Sequence, residues 1–234
     1  MPNEPVPPSH KPAQGAPLFG PSATTWFRVA LILAALFGVS LGYAAYAYYH
    51  SPWWNRSGLA ENQPVLFSHR HHAGELQIDC RYCHASAETS SSAGLPSTQT
   101  CLSCHSQLFH DTAMLRPVVA SAEKGRPLRW NRVTSVPDHV YFDHSIHLAK
   151  GVGCTTCHGA VGNMALTTKG PSLEMRWCID CHRDPAPHLR PRSELFSPTL
   201  DPNQKHAAAL RGHVLLLANG VQTQHLTNCS TCHR

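Results

Sequence analysis

Phe142–His158 reads FDHSIHLAKGVGCTTCH. The stretch closes on a Cys-x-x-Cys-His run and opens with His144 and His147, three residues apart, although the closing run already supplies a histidine. The same run recurs four more times. Ten cysteines (Cys80, Cys83, Cys101, Cys104, Cys154, Cys157, Cys178, Cys181, Cys229 and Cys232) form five such pairs with none left over. Each pair is followed by histidine: His84, His105, His158, His182 and His233. C-x-x-C-H is the attachment signature of c-type haem, in which both thiols add across porphyrin vinyl groups and the histidine becomes the proximal iron ligand. Zinc sites, redox dithiols and disulfide frameworks also use paired cysteines, but none of them requires histidine after every pair. The expectation is five covalently bound haems c, held in a domain on the far side of a bacterial membrane.

Five low-spin irons need ten axial ligands, and the attachment runs supply five. Two histidines at i and i+3 on one helical turn project from one face about 60° apart, so each reaches a different iron. His144 and His147 fit that role, and so do His69 and His72, which follow Phe67 as His144 and His147 follow Phe142. Successive features recur at nearly constant offset: His69 to His144 and His72 to His147 by 75 positions, Cys80 to Cys154 by 74, Cys101 to Cys178 by 77. The chain therefore carries two tandem dihaem units, at about 64–135 and 136–195, with a fifth haem site at about 196–234. Candidates for the tenth ligand are Met164, Met175 and the remaining histidines His110, His139, His188, His206, His213 and His225; the expectation is a methionine, Met164 or Met175, which raises the potential of one haem above its bis-histidine neighbours.

Ahead of this periplasmic domain (64–234), residues 1–25 are proline-rich and read as a flexible cytoplasmic tail. Residues 26–49 lack charge after Arg28 and carry aromatic residues at both ends, as interfacial belts require. They are long enough to cross the hydrocarbon core of a bilayer. They read as a transmembrane helix, followed by a tether over 50–63. The rival is a cleaved signal peptide with a small-x-small site at Ala45–Ala47. The formal charge of +5 invites no nucleic-acid role, because five haems add ten propionates and bring the total to about −5.

The order FSHxxH, DCRYCH, CLSCHSQ, VYFDHSIH, KGVGCTTCHG, MRWCIDCHR and TNCSTCHR resembles the pentahaem cytochrome c subunit of alternative complex III, from Phe67 to the C-terminus. The resemblance implies a multihaem cytochrome c fold, more loosely akin to class III cytochromes c, of short helices and loops packed around five haems. It implies no substrate chemistry of the chain's own but electron relay within a membrane quinol oxidoreductase, at the bacterial inner membrane. The partners it implies are an iron–sulfur subunit related to molybdopterin enzymes, polytopic quinol-binding subunits, and a periplasmic acceptor such as a monohaem cytochrome c. It also implies that His71, His110, His139 and His188 are not ligands. A self-sufficient membrane quinol dehydrogenase of the NapC/NrfH type is the alternative. Its first attachment run normally follows the helix closely, whereas here the tether and the first histidine box stand between Tyr49 and Cys80.

Overall fold

The computed structural model describes residues 20–199 and 204–233, and divides into two units at Ser51/Pro52. The first is one continuous helix, Pro21–Tyr49. It starts five residues earlier than hydropathy suggests, because Pro21 supplies a preset helical φ at the first turn, where its missing N–H has no partner to lose. Residues 1–19 of the expected tail lie outside the described residues. At the rise of an α-helix this length exceeds the thickness of a bilayer core. By length and composition the helix is apolar enough to cross a membrane, and none of its apolar window is buried within the protein.

The second unit is a succession of short helical turns. The longer ones are Thr98–His105, Arg116–Glu123, Met175–Arg183 and Gln204–Ala218. Among the described residues there is no regular strand, only isolated bridges. Two of these join Ser57 to Lys169 and Ala60 to Thr168, and Lys169 Nζ donates to the Asn55 carbonyl at 3.0 Å. The segment expected as a tether, 50–63, thus meets 168–169 at Ser57 and Ala60.

Helix Gln204–Ala218 seats on the Ala186–His188 turn at Gly212, where a Cβ would overlap the Ala186 carbonyl oxygen. Its C-terminus is closed by Gly220 at φ +57° and by Lys150 Nζ, which donates to the carbonyls of Asn219 (2.9 Å) and Gly220 (3.1 Å). A cation at orphaned carbonyls is the favourable end of the helix dipole.

The protein's own apolar core is small. Val65, Leu115 and Val118 form one cluster and Ala87, Leu148 and Leu195 another, each with an attachment cysteine at its margin: Cys101 and Cys154. A domain of this length normally buries far more of its surface in one core.

Candidate haem-binding site

Each attachment run folds as a short helical turn: Cys80–Cys83, Thr98–His105, Cys154–His158, Met175–Arg183 and Cys229–Cys232. Side-chain caps explain several starts. Asp79 accepts from Arg81 N–H at 2.8 Å, and Ser97 caps Thr98–His105 through Thr100 N–H. On one helical turn, cysteines at i and i+3 share a face, which lets both reach one macrocycle.

The two F-x-H-x-x-H boxes have matching geometry. Phe67 stacks on His72 (centroids 4.5 Å, 27°) and meets His69 edge-on (4.9 Å, 89°). Phe142 stacks on His147 (4.5 Å, 28°) and meets His144 edge-on (4.8 Å, 88°). One phenyl ring therefore touches both imidazoles of its box, face to face with one and edge-on to the other, an orienting contact. The recurrence of Phe at the same offset was its signal.

The boxes differ in one respect. The second is an ordinary α-helix, His144–Ala149, capped by Asp143, whereas the first winds as a π-helical turn, Arg70–Glu75. The interval from His69 to Cys80 is eleven positions and that from His144 to Cys154 is ten. Ile78 N–H accordingly bonds six residues back to His72, where Val152 N–H bonds five back to His147. A π-turn is how a helix absorbs one inserted residue while keeping its flanks in place.

Across the gaps, box histidines face attachment histidines. His72 and His105 have ring centroids 6.1 Å apart, His147 and His182 6.2 Å, and His144 and His158 6.3 Å. A metal–imidazole bond is about 2.0 Å and the nitrogen lies about 1 Å from the ring centre, so two imidazoles on opposite sides of one metal stand roughly 6 Å apart. His69 lies close enough to His84 and His158 to feel their charge. In each unit the first box histidine thus neighbours the first attachment histidine, and the second faces the second.

Most of these histidines have their outer ring nitrogen held by a neighbouring oxygen. Nδ1 of His72, His84 and His105 donates to the carbonyls of Ser68, Gly94 and Leu108, at 2.8–3.0 Å. Nδ1 of His144, His147, His182 and His233 donates to those of Ser91, Asp143, Leu226 and His139, at 2.7–3.0 Å. Nδ1 of His69 meets Thr167 Oγ1 at 2.8 Å. A carbonyl at Nδ1 fixes the proton there and leaves the Nε2 lone pair for a metal, the usual support of a ligating histidine. His71 instead pairs with the Glu75 carboxylate and His110 with Asp111, both at the surface.

Burial lowers His69 and His158 to about 4, with neighbouring histidines adding to the effect, and lowers His147 as well. All three imidazoles are therefore neutral and nucleophilic at pH 7. Desolvation pushes the Cys157 thiol up to about 12 and Cys181 to about 11.

The arrangement fits a macrocycle-held iron better than a bare ion. The ten cysteines form no disulfide, and among the described residues no three His, Cys, Asp or Glu side chains gather at one point. A zinc site needs such a gathering of about four donors, whereas a porphyrin iron needs only two axial ones. Tyr82, Leu95, Leu108 and Ile146 near the attachment turns are more than half exposed, and the Trp130 indole N–H beside the Cys101 cluster is buried without a partner. Apolar plates with carboxylate edges suit both features.

The two methionines part company here. Met164 packs by Gly159, and its sulfur accepts from Thr168 Oγ1 at 3.7 Å. Met175 is 68% exposed and lies one turn before Cys178, itself a neighbour of Cys232. His139, set aside by family resemblance, stacks on His233 with centroids 5.6 Å apart.

Residues 140–234, which hold the second box and the last three attachment turns, match the family described as cytochrome c7 and related cytochrome c. The chain is also 32% identical over 136 residues to the multihaem cytochrome c subunit of a menaquinone reductase from Nitratidesulfovibrio vulgaris, covering 56% of this chain and 57% of that one. It spans somewhat over half the length of that relative. Both similarities are to cytochromes c, the second of them a multihaem subunit.

Proposed function

We propose that the chain is the pentahaem electron-relay subunit of a membrane quinol oxidoreductase of the alternative complex III kind. Its anchor is the Pro21–Tyr49 helix, with the N-terminus cytoplasmic and residues 64–234 in the periplasm. The observation that carries the reading is the repeated facing of box and attachment imidazoles at 6.1–6.3 Å. Such pairs serve electron transfer, since two protein ligands leave an iron no open position for substrate.

When bound, the haems supply one-electron ferric/ferrous chemistry. The protein's residues do the rest. The cysteine pairs would hold the macrocycles, and His84, His105, His158 and His182, paired in that order with His69, His72, His144 and His147, would hold their irons. The Nδ1 carbonyl bonds of His72, His84, His105, His144, His147 and His182 lock those rings and their tautomers, so little rearrangement would accompany a change of iron charge. His233 and Met175 would hold the fifth iron: Met164's sulfur is already engaged by Thr168, whereas Met175 shares a helical face with Cys178, next to Cys232.

In this reading, quinol is oxidised in polytopic partner subunits, an iron–sulfur subunit stands beside the chain, and a monohaem cytochrome c takes the electrons onward. The similarity to a menaquinone reductase subunit favours a second reading, the same relay run in reverse from a periplasmic donor to quinone. The test is purification from the native membrane in mild detergent. Five haems by intact mass and co-purifying iron–sulfur and polytopic subunits are expected. Cytochrome c reduction on adding quinol gives the forward direction, and menaquinone reduction by a reduced donor gives the reverse. Recovery of the chain alone, reducible directly by quinol, would establish the NapC/NrfH-type alternative instead.

A further inference from the structure

Contacts between the attachment turns connect all five. Tyr82 of the first turn and Ser103 of the second share a 2.6 Å hydrogen bond. The first and third turns converge on one stretch of backbone, where Cys80 Sγ donates to the Phe196 carbonyl (3.4 Å) and Cys154 N–H to the adjacent Leu195 carbonyl (3.0 Å). Their two thiols meet each other there. The third and fourth are bracketed by one helical turn, since His144 faces His158 and His147 faces His182. The fourth and fifth meet where His182 Nδ1 donates to Leu226, three residues before Cys229. Cysteine neighbours follow the same sequence: Cys83 with Cys101, Cys157 with Cys178 and Cys181, and Cys178 with Cys232.

We infer that the attachment turns stand in a single unbranched file in the order second, first, third, fourth, fifth. The inference rests on the relay reading and adds its geometry. The Cys101–Cys104–His105 site is then one terminus and the Cys229–Cys232–His233 site the other, while the first site in sequence is interior. The cause is the tandem repeat. Each box brackets its own two sites, and the units join through their first members at Leu195–Phe196, which turns the second site of the first unit outward.

Partners exchange electrons with the relay at its two ends, and every electron that crosses the whole file passes the Cys80–Cys154 junction.

The test is an electron cryo-microscopy map of the full chain, with its haems and partners, in which the five irons are located. The iron held by His105 is expected to have one nearest neighbour, held by His84, and the latter to have two, held by His105 and His158. An iron at His105 adjacent to that at His158, or an iron at His84 standing at an end, overturns the file. A second measurement needs no map. His72→Ala makes the second iron high-spin, and its magnetic relaxation should broaden the resonance of one low-spin haem; broadening of two or more overturns the order. Fewer than five haems, or five in this file that neither quinol nor a periplasmic donor reduces, tells against the relay reading and leaves the order to be judged on the irons.

Discussion

Gly74 tests how the first box is held. Its turn is tied to the Val161–Asn163 turn by Arg70 N–H, which donates to the Met164 carbonyl at 2.9 Å. A Cβ on Gly74 would overlap the Gly162 carbonyl oxygen. Gly162 cannot retreat, because it is backed by Pro198: its N–H donates to the Pro198 carbonyl at 2.8 Å, and a Cβ of its own would meet Pro198 at 2.8 Å. In Gly74→Ala the π-turn must therefore move by about 1 Å to regain ordinary van der Waals contact. Metal–ligand bonds tolerate only about 0.2 Å, so His69 and His72 cannot both keep theirs. Overpacking of this kind costs about 1–3 kcal/mol. For a protein of this length that lowers the thermal midpoint by roughly 2–12 °C. The assay is the high-spin fraction in visible and EPR spectra, read with the melting midpoint. Gly42→Ala, where a Cβ meets nothing within 4 Å, is the control. A Gly74→Ala protein that stays wholly low-spin with an unchanged midpoint refutes the account of Gly74, Gly162 and Pro198 as one stack.

Neighbouring histidines give a sharper contrast. His72→Ala should keep five covalent haems and turn one high-spin, whereas His71→Ala, which loses a surface pair with Glu75 and an edge-on contact with the His72 ring, should leave every iron low-spin; equal spectra from the two would remove the reading of the box. Met175→His should lower the reduction potential of one haem and Met164→His should lower none, as a redox titration of the two variants will decide. Arg81 holds the Asp79 carboxyl below its ordinary value of 3.8 through hydrogen bonds at 2.8–2.9 Å. A carboxyl depressed in the folded state stabilises it fully above that ordinary value and loses the contribution as pH falls through the lowered one. Melting curves taken across the acid range should therefore show a shallower acid limb in Asp79→Asn than in the parent. The difference is small because the pair is half exposed and solvent screens it; parallel limbs would refute it.

The cytochrome c class, the five cysteine–histidine runs, the recurrence of the two histidine boxes and the long apolar helix were all legible in residue order. Each depends on covalent chemistry or on spacing along one chain, and neither needs a folded neighbour to be read. The pairing of box with attachment histidines is different, because His72 and His105 lie 33 positions apart and meet only once loops and turns are packed. The π-turn shows the boundary well: the extra residue before Cys80 is countable in the sequence, but that a wider helical turn takes it up, rather than a loop, is seen only in space, where Gly74 lies against Gly162 and Gly162 against Pro198. Met164 and Met175 were equal by composition and parted only by what stands beside each sulfur. The Nδ1 carbonyls were out of reach for the same reason. A backbone acceptor has no sequence signature, so Gly94, Ser91 and Leu226 become partners only through the path the chain takes in space.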